Sequence, residues 1–193
     1  MVPPDFEAHY CRGCGENRVA FVFSVPGRHE RDAKKPLSGR AGRNLDVALK
    51  RLNDHAPDDF HSIDRYRYRI TNSFDEPIFR EISNGKSEPS SAQVLSHRNV
   101  RRIIGELENM EVVILAGKKS QRLSEEKAFM RWAETSGVSV ILHWHTGDQA
   151  LVSKYSDCGK AKEASERQDE RIHQWADELL EKYKKKIRSS GRR

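Results

Sequence analysis

Short apolar runs alternate along the chain with segments whose apolar residues recur three and four positions apart. The run from Val19 to Val25 is β-branched and aromatic and stops at Pro26 and Gly27, which predicts a strand ending in a turn. Leu45, Ala48, Leu49 and Leu52 then repeat at helical spacing, with Asn44 as the expected cap. Tyr66, Tyr68 and Ile70 alternate with Arg65, Arg67 and Arg69, the period of a half-buried strand. Ser83 to Ser91 holds only small, polar, proline and charged residues and predicts a loop. A helix is expected over 92–107, with Leu95, Ile103, Ile104 and Leu107 facing inward. Val112 to Ala116 predicts a buried strand ending at Gly117. Ser124 is the expected cap of a helix reaching about Glu134, with Glu125 and Glu126 in the first turn, where the helix dipole favours negative charge. Val138 to Leu142 predicts a fourth strand, and 161–187 a long polar helix carrying Ile172, Trp175, Leu179, Leu180 and Tyr183.

Strands separated by helices imply right-handed crossovers and a parallel sheet covered on both faces. The expected fold is therefore α/β, a three-layer sandwich around a four-stranded parallel sheet. A single domain spans 1–193, its 161–193 portion forming a C-terminal helix and basic tail. In such sheets the chemistry gathers at the carboxyl ends of the strands. Here those ends are Ser24 to Gly27, Thr71–Asn72, Ala116–Gly117 and His143 to Gly147.

Charge adds a partner class. Lys and Arg number 35 against 29 Asp and Glu, a net of +6, and the excess is uneven. Arg40 and Arg43 sit in a glycine-rich loop, Arg65, Arg67 and Arg69 in one run, and Lys184 to Arg193 form a basic tail. A polyanion such as DNA fits this distribution, and a solubilising surface with a solvated tail fits it equally. No apolar run approaches the roughly 18 residues of a membrane span, and the N-terminus lacks the regions of a signal peptide. Three cysteines, an odd number, argue against a secreted disulfide scaffold, so a cytoplasmic protein without a membrane partner is expected. Gly85-Lys86-Ser87 is not a phosphate-binding loop, because Arg80 stands where that motif needs its first glycine; no nucleotide cofactor is expected.

The first strand runs into Phe23-Ser-Val-Pro-Gly27, followed by Glu30 and Asp32 and then by Lys35-Pro-Leu-Ser-Gly39-Arg-Ala-Gly42-Arg-Asn-Leu45-Asp46. Ile70-Thr71-Asn72 ends the second strand, Leu115-Ala-Gly117 the third, and His145-Thr-Gly147 follows the last. In order and spacing, over roughly residues 19 to 150, these motifs resemble the uracil-DNA glycosylase superfamily, most closely its thermophile-type iron–sulfur branch. The resemblance implies DNA as partner and a base flipped out of the stack, with its N-glycosidic bond hydrolysed to leave an abasic site. It implies a base pocket of Ser24, Val25, Pro26, Gly27 and Leu37 with Asn72 on its floor, and His145 donating a hydrogen bond to the departing base. Gly39, Arg40, Gly42, Arg43, Gly117, Lys118 and Gly147 would meet the DNA backbone, and Leu151 would wedge into the gap left by the flipped base. Blander alternatives stand beside these: a strand-end turn for Asn72, a solvated loop for residues 39–43 and core packing for Leu151. His143 shares a strand face with His145, and the two suggest a metal site, but two histidines do not complete a coordination shell and a core role is the alternative for His143.

Three departures matter. Ser24 stands where the iron–sulfur branch has Glu, and Val25 where other branches have Asp or Asn, which leaves Glu30, Asp32 and Asp148 as candidates for holding the attacking water. Leu37 replaces the Phe that stacks on uracil, which suggests a larger or modified base, such as the hypermodified cytosine of phage DNA, and a role in antiviral defence. Cys11, Cys14 and Cys158 are too few for a four-cysteine cluster, so no iron–sulfur cofactor is expected. With His9 they are candidates for a structural zinc, the alternative being free buried thiols. Two readings compete with a glycosylase: a DNA-binding relative that has lost its chemistry, and a small-molecule enzyme on the same architecture.

Overall fold

The computed structural model describes residues 6–14, 17–159, 161 and 163–189. Five strands form one sheet: β1 (Tyr10–Cys11), β2 (Val19–Phe23), β3 (Arg69–Asn72), β4 (Val112–Ala116) and β5 (Ser139–His143), in the order β1-β3-β2-β4-β5. The four expected strands are parallel. The fifth is an antiparallel edge strand, Tyr10 opposite Thr71 and Cys11 opposite Ile70, which corrects the expectation of four. Two residues are too few to show a period-2 pattern, so β1 left no trace in the alternation.

Every residue of the central strands β2 and β4 is buried, as expected for a sheet covered on both faces. Phe21, Phe23, Ile70, Ile114 and Ala116 face one core, shared with helices α2 (Arg40–His55) and α8 (Ala164–Ser189). Ala20, Val22, Val113 and Leu115 face the other, shared with α4 (His97–Glu106) and α6 (Lys127–Thr135). The result is helix, sheet, helix. Short helices complete the chain: α1 (Arg28–Ala33), α3 (Ser91–Val94), α5 (Lys118–Gln121) and α7 (Asp148–Lys154). Among the described residues no helix is long and apolar enough to cross a membrane.

Four local expectations are corrected. Arg65–Arg67 is a turn of 3-10 helix capped by Asp64, which accepts from the Tyr66 N–H, so only Arg69–Asn72 is strand. The helix expected over 92–107 is two, because Ser90 and Gln93 form a reciprocal cap on α3 and Ser96 starts α4 afresh. Glu126, not Ser124, caps α6 by accepting from the Ala128 N–H. Asn44 lies inside α2 rather than at its start, which is Gly39.

Leu151 is 1% exposed and belongs to the core shared by α2 and α8, so it is not a wedge; the neighbouring Val152 is 49% exposed. The pair gives a direct check of this burial. In urea unfolding, Leu151→Ala is expected to cost about 2–5 kcal/mol, whereas Val152→Ala stays within about 0.5 kcal/mol.

Candidate active site

The loops following β2, β3, β4 and β5 meet at one end of the sheet. Phe23 is the register partner of Asn72, and its ring takes His145 edge-on at a centroid distance of 5.3 Å. Gly117, after β4, has a φ of 107°, and a Cβ there would stand 3.2 Å from the Cβ of His145. Glycine therefore serves both the left-handed backbone and the close approach of the imidazole. His145 and Asn72 thus flank the same β2 end.

The segment carrying His145 is clamped to α2. Thr146 Oγ1 donates to the Ala41 carbonyl (2.9 Å), and Asn44 Nδ2 donates to the Thr146 carbonyl (2.7 Å) and to Asp148 (2.9 Å). Arg40 (2.6 Å) and Gln168 (3.0 Å) also donate to Asp148. Asp148 is thereby a structural acceptor with three donors. Helix α2 itself packs hard against the preceding loop: a Cβ on Gly42 would meet the Leu37 carbonyl oxygen at 1.8 Å. Leu37 adopts a left-handed φ of 51°, a conformation that persists only where surroundings enforce it. Its side chain is buried in the core, so it offers no surface on which a base stacks.

His145 is the chemically distinct group. The Gly147 N–H donates to its Nδ1 at 2.8 Å, which leaves the proton of the neutral ring on Nε2. Burial depresses its pKa from 6.5 to about 4, against a smaller upward pull from the Glu30 carboxylate. At neutral pH it is an uncharged N–H donor. Glu30 lies close enough to be felt by the ring and is fixed by two backbone donors, Gly27 N–H at 2.9 Å and Gly39 N–H at 3.1 Å. Those bonds use two of the roughly four lone-pair sites of a carboxylate.

Other expected residues play different parts. The Asn72 amide, 3% exposed, is satisfied when its oxygen accepts from the Val25 N–H and its nitrogen donates to the His9 carbonyl, each at 3.2 Å. It shapes the β2 loop rather than presenting a free amide. Asp32 is exposed and pairs with Arg31, outside the cluster. Ser24 Oγ is buried without a hydrogen-bond partner, Val25 and Gly27 are half-buried and Pro26 is buried. Arg43 and Lys118 are exposed. His143 is a core histidine: Nε2 donates to the Trp175 carbonyl at 2.9 Å, and burial depresses its pKa to about 4. Neither His145 nor Asn72 lines the four surface cavities described, of which the one at Lys118, Lys119, Gln121 and Arg122 measures about 530 Å³.

The candidate metal ligands do not converge. Cys11 and Cys14 donate to the carbonyls of Tyr66 and Arg67, Cys158 to those of Ser156 and Arg167, and His9 bonds Glu106. Burial pushes the Cys11 thiol up to about 11, and no group of three or more candidate ligands is arranged around a metal among the described residues. The basic tail is also misplaced for this site. Gln168 reaches Asp148, Trp175 the Trp144 carbonyl and Lys182 the Leu142 carbonyl, while Lys186 lines a cavity with Gly137 and Ser139. Helix α8 therefore runs away from the site, and its basic end lies at the amino ends of the strands; residues 190–193 lie outside those described.

Sequence reasoning missed Asn44 and Thr146 as the clamp on His145. An asparagine inside a helix, where its propensity is poor, was the available signal. Compared with known proteins, the chain matches no family model, and no curated protein matches it.

Both depressed histidines make a stability prediction with a definite sign. Each ionises near 6.5 when unfolded and near 4 when folded. Below pH 6.5 protons bind the unfolded chain first, so stability falls as pH drops from about 6.5 to about 4. Urea unfolding at pH 7 and pH 4.5 should show a loss on the order of 1–2 kcal/mol smaller in His143→Gln than in the unsubstituted protein.

Proposed function

We propose that the chain is a DNA glycosylase of the uracil-DNA glycosylase kind, which accepts a flipped-out base beside His145 and hydrolyses its N-glycosidic bond. One observation carries the reading: a neutral imidazole whose Nδ1 is occupied by the Gly147 N–H, so that Nε2–H alone is presented as donor. A donor fixed in place before charge develops on the departing base stabilises that charge without reorganising during the reaction.

In this reading water adds its oxygen to C1′ of the sugar as the C1′–N bond breaks. The electron pair of that bond passes to the base and spreads to its carbonyl oxygen, where Nε2–H of His145 donates. Glu30, an anion immobilised by Gly27 and Gly39, stabilises the cationic sugar and keeps lone pairs free to accept from the attacking water, whose proton leaves to solvent. Arg40, Arg43 and Lys118 supply contacts to the DNA backbone. With Leu37 buried and no aromatic platform in that loop, the substrate is a base other than plain uracil. Hypermodified cytosine of phage DNA is the class to test first, and it would make the protein an antiviral defence enzyme.

A second reading has its own support. The Asn72 amide is engaged by backbone at both ends, which suits a relative that binds modified or abasic DNA without cutting it.

One assay separates them. Oligonucleotides carrying uracil, cytosine or bulky cytosine derivatives are incubated with the protein, abasic sites are cleaved with alkali, and released base is identified by mass spectrometry. A glycosylase releases base, and His145→Ala slows it about 10²–10³-fold. Tight binding without release supports the second reading, and equal release of uracil and bulky cytosines removes the substrate assignment.

A further inference from the structure

Strand β5 is an open edge of the sheet: it pairs with β4 on one side and with no strand on the other among the described residues. The Ser139 N–H donates to the Glu111 carbonyl, and the His143 carbonyl accepts from the Gly117 N–H, so the odd-numbered residues of β5 carry the bonds to the β4 side. Trans peptide planes point each carbonyl opposite to the next N–H. The Val138 carbonyl, both backbone groups of Val140 and both of Leu142 therefore face away from β4. Of these the Leu142 carbonyl is taken, by Lys182 Nζ at 3.1 Å. The others have no hydrogen-bond partner among the described residues.

This pattern of free groups is complementary to itself. With a twofold axis at Val140, two copies of β5 run antiparallel, and each Val140 exchanges N–H···O bonds with Val140 of the second copy. Leu142 then faces Val138 of the second copy, and its N–H meets the free Val138 carbonyl. The two groups that stay out of that pair, the Val138 N–H and the Leu142 carbonyl, are the ones already bonded inside the chain, to the Ala133 carbonyl (2.7 Å) and to Lys182. The side chains agree. Leu142 (43% exposed) and Met130 (37%) border a groove of about 640 Å³ together with Glu134, Val138 and Val140, and the pairing lays Leu142 of one copy beside Val138 of the other. So does charge: Lys182 stands at the Leu142 end and Glu134 at the Val138 end, so each Lys182 is set toward Glu134 of the second copy. An edge with neither proline nor charge in its 138–142 run is a template for such pairing. Any extended chain would satisfy the backbone, but the match at 138 and 142 and the charge pairing belong to the strand against itself.

We propose that the β5 edge is a homodimer interface, which joins two five-stranded sheets into one continuous sheet. Because the paired strands run antiparallel, the two candidate active sites stand at opposite ends of that sheet and neither is covered. The inference goes beyond the glycosylase reading and holds whatever the site acts on.

Sedimentation equilibrium over a concentration series is the test. The mass should rise from the 22.2 kDa of one chain toward twice that value. In hydrogen exchange, the edge amides of Val140 and Leu142 should gain protection as concentration rises. Val140→Pro removes the edge N–H but no bond to β4, a placement that edge strands tolerate. It should raise the dissociation constant of the dimer at least about tenfold while the far-UV circular dichroism is unchanged. Leu142→Lys, which leaves the backbone as it is, should weaken the dimer by putting a second cation beside Lys182. Val152→Lys, at a comparably exposed residue of α7 (49%), should leave it intact. A single-chain mass at every concentration overturns the assignment. So does a dimer that survives both edge substitutions, or one whose Val140 and Leu142 amides exchange as fast as in the single chain.

Discussion

The site depends on one hydrogen bond made in a desolvated setting, from the Gly147 N–H to Nδ1 of His145. Burial alone would leave the ring neutral but with its proton on either nitrogen. The backbone donor settles the tautomer and leaves the proton on Nε2. Much of the surrounding structure holds that geometry in place. Asn44 and Thr146 tie the segment to α2, Gly117 opens the space the imidazole occupies, and Phe23 closes one side of it.

The second element is a fixed negative charge. Glu30 caps its own short helix at Gly27 and reaches across to the Gly39 N–H at the start of α2, so one carboxylate joins the two glycine-containing loops. A neutral donor and an immobilised anion in one cluster form a site with separated electrostatic roles. In the proposed glycosylase reading, one would face charge leaving with a base and the other charge left on a sugar. The basic groups around it are local ones, Arg40, Arg43 and Lys118, since the cationic end of α8 lies at the other pole of the sheet.

How far the sequence revealed this follows from the range of each interaction. The buried strands β2 and β4 and the inward face of α8 were legible because burial on both faces, or on one helical stripe, writes itself into residue type. The gathering of Pro26–Gly27, Asn72, Gly117 and His145 at the carboxyl end of the sheet was legible from their places after the strands. The 3-10 turn at Arg65–Arg67 was not, because its alternation of Arg and Tyr arises from Asp64 capping the turn and Asp46 holding Arg65, contacts that no local period encodes. Nor was the fate of Asn72, whose amide is taken by Val25 and by His9 across the edge strand. Charge totals also misled: Arg40 and the Lys184–Arg188 run add up in composition but stand at opposite ends of the molecule.

The most direct test is the protonation state of one ring. Nitrogen-15 NMR of the imidazole of His145, assigned by comparison with His145→Gln, should show a protonated Nε2 and a bare Nδ1 at pH 7, and no ionisation until the pH approaches about 4. A ring protonated on Nδ1, or one that charges near 6.5, would contradict it.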